Sequence, residues 1–423
     1  MKYSKIHTLV FLVTGFPPDV SGVSHFNWER VRWFAQQSEY RVVVFAPDWQ
    51  NVTKTDLKYS DLNNLTIEYY PSKPWLPYKL THVPKFEAAG LINQKIVDYQ
   101  PDLIIVTDVE RFFWLSTWRI PGLNYARENN IPSIAEYHTD FYNFLAAYPG
   151  RQWLRQLLGK TKLMSHLYRH QYHKFNATLC SSAAAGQSCR EMGVSNVKNI
   201  SFLGIDVSSY SPKLRDRECL KTWLSTEEQD HKVILFLGRL AFEKRIDLLI
   251  KAFIRLKHQD PKLSLIIAGD GPVDAVNQAK QLARQVSHVH FTGFLLGEIK
   301  AKVLASCDVF CSPSPYETFG RTTVEAMASG IPLVTVDSGA VSKYIKDEVN
   351  GYLVESNDVE ALASCLDKVL LSDNGKITQR ALQDVKQFSI EQGCQNLHHY
   401  YQKILNRSMN KKANENSMFL IAK

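Results

Sequence analysis

Short apolar, β-branched runs alternate along the chain with longer stretches whose hydrophobic positions repeat at helical spacing. Apolar runs of this kind suit strands buried on both faces, and their alternation with helices predicts parallel sheets covered by helices. One set of strands is expected at residues 7–14, 40–47, 65–71, 103–108, 131–138, 177–182 and 197–202. A second set is expected at 233–238, 263–269, 289–293, 309–312, 331–336 and 351–354. The polar, strand-poor stretch 207–232 between them reads as a lead-in, with a boundary near Asp206. The prediction is therefore an α/β protein of two doubly wound, Rossmann-like domains, 1–205 and 206–388. An amphipathic helix at 389–405 packs back on the first domain, and a polar tail follows at 406–423. Such sheets bind ligands beyond the carboxyl ends of their strands, where the strand order reverses, so a cleft between the domains is expected to hold the site.

Composition narrows this only by exclusion. The 423 residues are 45% hydrophobic and 22% charged, with 20 Gly and 17 Pro, which excludes collagen-like, mucin-like and wholly disordered classes. No apolar run approaches the roughly 18 residues of a membrane-spanning helix. Lys2 and Lys5 ahead of Leu9 to Val13 imitate a secretion signal. That run is short, though, and leads into Gly15-Phe16-Pro17-Pro18 in place of a small-residue cleavage site, so a first buried strand is expected. Seven scattered cysteines without a Cys-x-x-Cys pair read as reduced thiols of a cytoplasmic protein, and Cys307 and Cys311 as small core residues.

The formal charge of +8 is concentrated in the first half of the chain. Residues 141–190 contain no acidic side chain, yet carry Arg151, Arg155, Lys160, Lys162, Arg169, Lys174 and Arg190. A nucleic-acid-binding protein would use such a patch, but no RNA- or DNA-binding motif accompanies it.

The densest chemistry lies in Ser312-Pro-Ser-Pro-Tyr-Glu317-Thr-Phe-Gly-Arg-Thr-Thr-Val-Glu325-Ala-Met-Ala-Ser-Gly330-Ile-Pro332, which runs from a strand end through a turn into a helix. Glu317 precedes the helix and Glu325 lies about two turns along it, so both can face one polyhydroxylated ligand. The N–H groups of Phe319, Gly320, Arg321 and Thr322 fall at the helix N-terminus, where unpaired donors favour a phosphate. Either glutamate alone would read as a cap or a solvated helix residue. The segment Gly238-Arg239-Leu-Ala-Phe-Glu243-Lys244 follows another strand and brings Arg239 and Lys244 to the same edge, where two cations suit a diphosphate. A surface network with Glu243 is the plainer alternative for them.

Gly238-Arg239-x4-Lys244 together with Glu317-x7-Glu325 resembles the family-4 retaining glycosyltransferases of GT-B fold. Further matches span most of the chain: Gly15-Phe-Pro-Pro-x4-Gly22-Val, Tyr137-His138-Thr139-Asp140, Gly204-Ile-Asp206, Gly269-Asp-Gly-Pro272, Phe291-Thr-Gly293 and Ala326-x3-Gly330-x-Pro332. The resemblance implies a hexosyltransferase in which Glu317 contacts the donor sugar, Glu325 the ribose hydroxyls, and Arg239 and Lys244 the diphosphate. It places Gly22 against the phosphates, the base near Phe294 and His138 beside the reacting sugar. Asp140 would contact an acceptor hydroxyl or orient His138. It further implies retention at the anomeric carbon and transfer without a metal or other cofactor, the cations serving instead. Two departures stand out: Ser21 occupies the place of a first glycine, and Ile390 that of a tryptophan near the crossing helix.

For the acceptor, residues 152–160 group Trp153, Leu154, Leu157 and Leu158 on one helical face with Arg151 and Arg155 beside them and Lys160 and Lys162 after. That arrangement suits an anionic membrane surface, or else a helix packed on the first sheet. The context Tyr137–Phe141 resembles the glycolipid-forming branch. The resulting expectation is a UDP-sugar donor, a membrane glycolipid acceptor as in digalactosyldiacylglycerol synthesis, and a cytoplasmic chain held peripherally at the membrane. The alternatives are a soluble saccharide acceptor, for instance with GDP-mannose as donor, and, more remotely, nucleic-acid binding through 141–190.

Overall fold

The computed structural model describes residues 5–19, 21–49, 62–75, 78–112, 119–138 and 162–421. They fall into two compact units, one holding residues up to 138, residues 162–203 and the helix Ile390–Ile421, the other residues 204–389.

The first unit is built on a seven-stranded sheet. In chain order its strands are β1 (His7–Leu12), β2 (Tyr40–Pro47), β3 (Leu65–Tyr70), β6 (Leu103–Thr107), β7 (Ser133–Tyr137), β8 (Ala177–Cys180) and β9 (Val197–Asn199). Their order across the sheet is β3-β2-β1-β6-β7-β8-β9, every pair parallel, so the order reverses between β1 and β6. A hairpin of β4 (Ser72–Trp75) and β5 (Tyr78–Pro84), absent from the sequence expectation, follows β3. The second unit has six strands: β10 (Lys232–Leu237), β11 (Leu263–Ala268), β12 (Val289–Gly293), β13 (Val309–Ser312), β14 (Leu333–Val336) and β15 (Tyr352–Val354). Its order is β12-β11-β10-β13-β14-β15, again all parallel, with the reversal between β10 and β13.

Helices cover both faces of each sheet, which is why Leu9 to Leu12, Val42 to Val44 and Leu265 to Ala268 are continuous apolar runs without solvent contact. The expected strands at 131–138 and 331–336 shorten to β7 and β14 because Pro132 and Pro332 have no N–H to give a ladder; their carbonyls accept from Ile104 and Phe310 instead.

The C-terminal helix Ile390–Ile421 buries Leu397, Tyr401 and Leu405, four residues apart on one stripe, in the core that also holds Phe11 and Phe34. It continues through the stretch expected as a polar tail; no Gly or Pro interrupts it beyond Gly393. Gly393 itself lies so close to the Phe202 carbonyl that a Cβ would collide with it.

One buried polar network ties this unit together. Arg30, on the helix Gly22–Ala35, and Glu136, in β7, are both inaccessible to solvent and form an ion pair. The Arg30 guanidinium lies 4.7 Å from the Phe11 ring centre and 4.9 Å from that of Phe26. It also donates to Asn27 Oδ1 at 2.8 Å, and Asn27 Nδ2 donates to the Gly15 carbonyl at 2.7 Å. From the C-terminal helix the Tyr401 hydroxyl donates to Glu136 Oε1 at 3.1 Å. Burial works against the Glu136 charge, but Arg30 and His138 outweigh it and hold the carboxyl down to about 2.

Glu136→Gln should destabilise the protein by about 3–5 kcal/mol, because Arg30 stays buried without its counter-charge. The paired change Arg30→Met with Glu136→Leu should recover most of that loss. Because the folded value lies below the ordinary 4.5, the Glu136 contribution is complete above pH 4.5 and drains as pH falls through about 2. Urea midpoints between pH 7 and pH 2 check both points: the paired variant should lack this part of the acid sensitivity, and a single variant as stable as wild type would contradict the account.

Candidate active site

In the second unit the site residues gather at the strand-order reversal. β10 ends at Leu237, and after Gly238 comes Arg239, its side chain 39% exposed and ion-paired to Glu243, a residue almost wholly buried. The alternative of a pairing with Glu243 thus holds for Arg239, and fixes its position at the edge. Lys244 does otherwise: its Nζ donates to Glu317 Oε1 at 2.6 Å, joining the loop after β10 to the loop after β13. Both remain partly accessible, at 20% for Lys244 and 13% for Glu317.

Glu325 lies deeper, on the helix Arg321–Ser329. Its Oε1 accepts from Lys300 Nζ at 2.9 Å and from Arg321 Nε at 3.1 Å. Burial raises the cost of its charge, but Lys300, Arg321 and a hydrogen bond from Tyr210 prevail and hold its carboxyl below the usual range. The turn into this helix is set by Gly320 at φ +75, where a Cβ would also meet Val341 at 2.6 Å. The Tyr344 hydroxyl donates to the Phe319 carbonyl at 2.7 Å, and Phe319 packs its ring against Phe388. Thr322 is half-buried in the first helical turn, whose N–H groups have no intrahelical acceptor. Phe294 is exposed directly after β12, on the same carboxyl edge.

In the first unit His138 follows β7 immediately, 6% exposed, with its ring between Phe26 at 5.5 Å and Phe202 at 5.6 Å. Its Nε2 lies 3.2 Å from Glu136 Oε2, so the buried Arg30–Glu136 pair also orients this imidazole. Gly22 opens the helix Gly22–Ala35. The Ser21 that departs from the family pattern sits at φ −69, which needs no glycine. Its Oγ accepts from Ser24 N at 3.2 Å and donates to Asp19 Oδ2 at 2.8 Å, so the residue caps the helix. Ile390 starts the C-terminal helix and packs partly buried on the same core. Asp140, Arg151, Trp153, Arg155 and Lys160 lie outside the described residues, as does the side chain of Lys162.

Several residues in these sites carry no motif. Lys300 is one. Glu136 and Arg30 are others, though an acid inside the apolar run Ile134–Tyr137 is a signal that it must be paired. At the β1–β6 reversal, Thr14 Oγ1 donates to Asp108 Oδ2 at 2.9 Å, and nearby Glu110 accepts from the Tyr172 hydroxyl. Burial pushes Glu110 up to about 7.

Comparison with known proteins agrees with this geometry. The model described as Glycosyltransferase Family 4 matches residues 20–208, and that described as Glycosyl transferases group 1 matches 223–386. A GDP-mannose-dependent alpha-mannosyltransferase of Mycolicibacterium smegmatis is 26% identical over 402 residues, 94% of this chain and 98% of that protein. An alpha-monoglucosyldiacylglycerol synthase of Streptococcus pneumoniae is 26% identical, covering 79% of this chain and 72% of its own. Among solved structures, a sucrose-phosphate synthase from Thermosynechococcus elongatus superposes with a TM-score of 0.76 at 17% identity, over 95% of this chain and all of the other. Two matched models in series, two parallel sheets and an edge of paired acids and cations lead to one assignment: the chain belongs to the family-4 glycosyltransferases and has the GT-B fold.

Proposed function

We propose that the chain transfers a hexose, with retention, from a nucleotide-diphosphate sugar to a membrane glycolipid. The observation that carries the donor half is the Lys244–Glu317 bridge across the β10–β13 reversal, with Arg239 on one side and the Glu325 cluster on the other. A diphosphate entering there meets Arg239 and Lys244 and releases Glu317 to accept from a sugar hydroxyl. The N–H groups of Phe319 to Thr322 add donors for charge growing on the leaving diphosphate, a fixed electrostatic stabilisation that needs no metal. Glu325, already ionised, accepts from the ribose hydroxyls, and the exposed Phe294 offers a face to the base. The leaving diphosphate oxygen takes the acceptor proton, and His138, oriented by Glu136, donates to a hydroxyl of the reacting sugar.

The acceptor half rests on the relatives. The Streptococcus protein is named for a diacylglycerol glycolipid, and a sulfoquinovosyl transferase of Arabidopsis thaliana is 29% identical over 67% of this chain and 52% of its own. A second reading, GDP-mannose as donor, is favoured by the mannosyltransferases that match nearly end to end or in large part. UDP-sugars and GDP-mannose are separated by one experiment: product formation from a donor panel, with and without vesicles of monoglycosylated diacylglycerol and an anionic lipid. A lipid-linked product formed only with vesicles supports the proposal; transfer confined to soluble saccharides overturns the acceptor assignment.

Glu317→Ala and Lys244→Ala should each lower kcat at least about 100-fold with unfolding midpoints unchanged, since each removes a group aimed at the reacting donor. Lys300→Ala should act chiefly on donor KM, because Glu325 loses a holding cation. Steady-state kinetics check all three, and near-wild-type rates in the first two would refute the donor site.

Arg151, Arg155, Lys160 and Lys162 should each contribute on the order of 1 kcal/mol to binding of anionic vesicles. Replacing all four with Ser should therefore abolish vesicle sedimentation at moderate salt while leaving nucleotide binding intact. Sedimentation equal to wild type would remove the membrane role of this segment.

A further inference from the structure

At the opposite, amino-terminal edge of the second sheet lies a cluster that the donor site does not use. Glu228, in the lead-in to β10, His231, just before that strand, and His288, just before β12, place one potential ligand atom each within 4.8 Å of one another. A third histidine, His290 in β12, has its Nε2 2.6 Å from Glu228 Oε1. We propose that Glu228, His231 and His288 form a binding site for a divalent transition-metal ion, zinc by its preference for imidazole and carboxylate, with water in the fourth position and a structural role.

The surroundings already do what metal sites require of their supporting groups. Ser264, in β11, donates to Glu228 Oε1 at 3.0 Å and so accepts from His231 Nδ1 at 2.9 Å. That fixes the proton of His231 on Nδ1 and leaves Nε2 with a lone pair, the tautomer a ligand needs. His288 Nδ1 is similarly engaged, 3.0 Å from the Ser287 hydroxyl, and the His231 and His288 rings meet edge to face at 5.0 Å. The His288 carbonyl accepts from Leu265 N at 2.9 Å, so the sheet register holds this histidine beside the other two elements. Glu228 is already positioned, its Oε2 accepting from Ser225 N at 2.9 Å. Lys257 opposes a cation here; its ammonium is tied to the carbonyls of Pro261 and Leu263.

Zinc bonds of about 2.0–2.2 Å place tetrahedral donors roughly 3.4 Å apart, so the side chains close by about 1 Å on binding. His290 keeps its hydrogen bond to Glu228 and orients that carboxylate. The ion would staple the lead-in segment to the start of β12, some 20 Å from Arg239 by the length of β10 at about 3.3 Å per residue. It takes no part in transfer.

The test uses the full chain stripped with chelator and titrated with zinc by calorimetry, with thermal unfolding and the visible spectrum of the cobalt form as second readouts. Wild type should bind one ion per chain, gain several degrees in Tm and show tetrahedral cobalt bands. His231→Ala and His288→Ala should each weaken binding at least 10-fold and lose both signatures, while Glu317→Gln keeps them. Because His288 is only half-buried, its metal-free variant should melt like the metal-free wild type, which separates lost binding from lost folding. Wild type that binds no zinc at about 100 μM, or a His231→Ala/His288→Ala double variant that binds as wild type does, would overturn the proposal.

Discussion

A carboxylate can stay charged inside a protein only if a cation or several donors go in with it, and this constraint shapes both units. Glu136 is buried with Arg30 and Glu325 with Lys300 and Arg321 beside it, buried Glu243 is paired to the partly exposed Arg239, and Glu317 faces Lys244 at the surface. Glu110, where burial dominates and a tyrosine is the closest partner, is instead pushed up to about 7. The acids that the proposed reaction uses are thus the ones supplied with cations. Their hydrogen-bond acceptors point where the strands end before any ligand arrives, which lowers the reorganisation needed at the moment of reaction.

The parallel sheets provide the framework for this arrangement. In both, every carboxyl strand end lies on one edge, and the order reverses beside the first strand of the set. The loops after β10 and β13 then diverge to opposite faces, and Lys244 and Glu317 meet across the gap. In the first unit the residue after β7 is His138, and the strand's period of two puts Glu136 on the same side, where it reaches the imidazole.

Much of this was legible in the sequence. All thirteen strands of the two sheets lie where the apolar runs predicted them, because a strand covered on both faces leaves a continuous hydrophobic signature. The hairpin β4–β5 escaped: Pro74 and the polar positions around it interrupt any alternation. Arg239, Lys244, Glu317 and Glu325 stand out as candidates by their spacing and their place after strands. Lys300 was invisible, since a lysine on an amphipathic helix is the commonest solvated residue and only the fold turns this one toward Glu325. Tyr401 was hidden for the opposite reason: its helical stripe reads as core, and its hydroxyl becomes meaningful only once Glu136 is beneath it. The last helix runs on to Ile421 through a stretch whose polar composition suggests a tail, because no Gly or Pro breaks it beyond Gly393.

The proposed reaction depends on Glu325 as a preset acceptor for the ribose of a nucleoside diphosphate. The most direct measurement is calorimetric: the affinity of the chain for UDP or GDP, whichever binds, against the corresponding 2′,3′-dideoxy nucleotide, in wild type and in Glu325→Gln. Loss of the hydroxyls should weaken binding to wild type by at least about 10-fold, or about 1.4 kcal/mol, and should make little difference to the variant. Equal affinity of both nucleotides for wild type would contradict it.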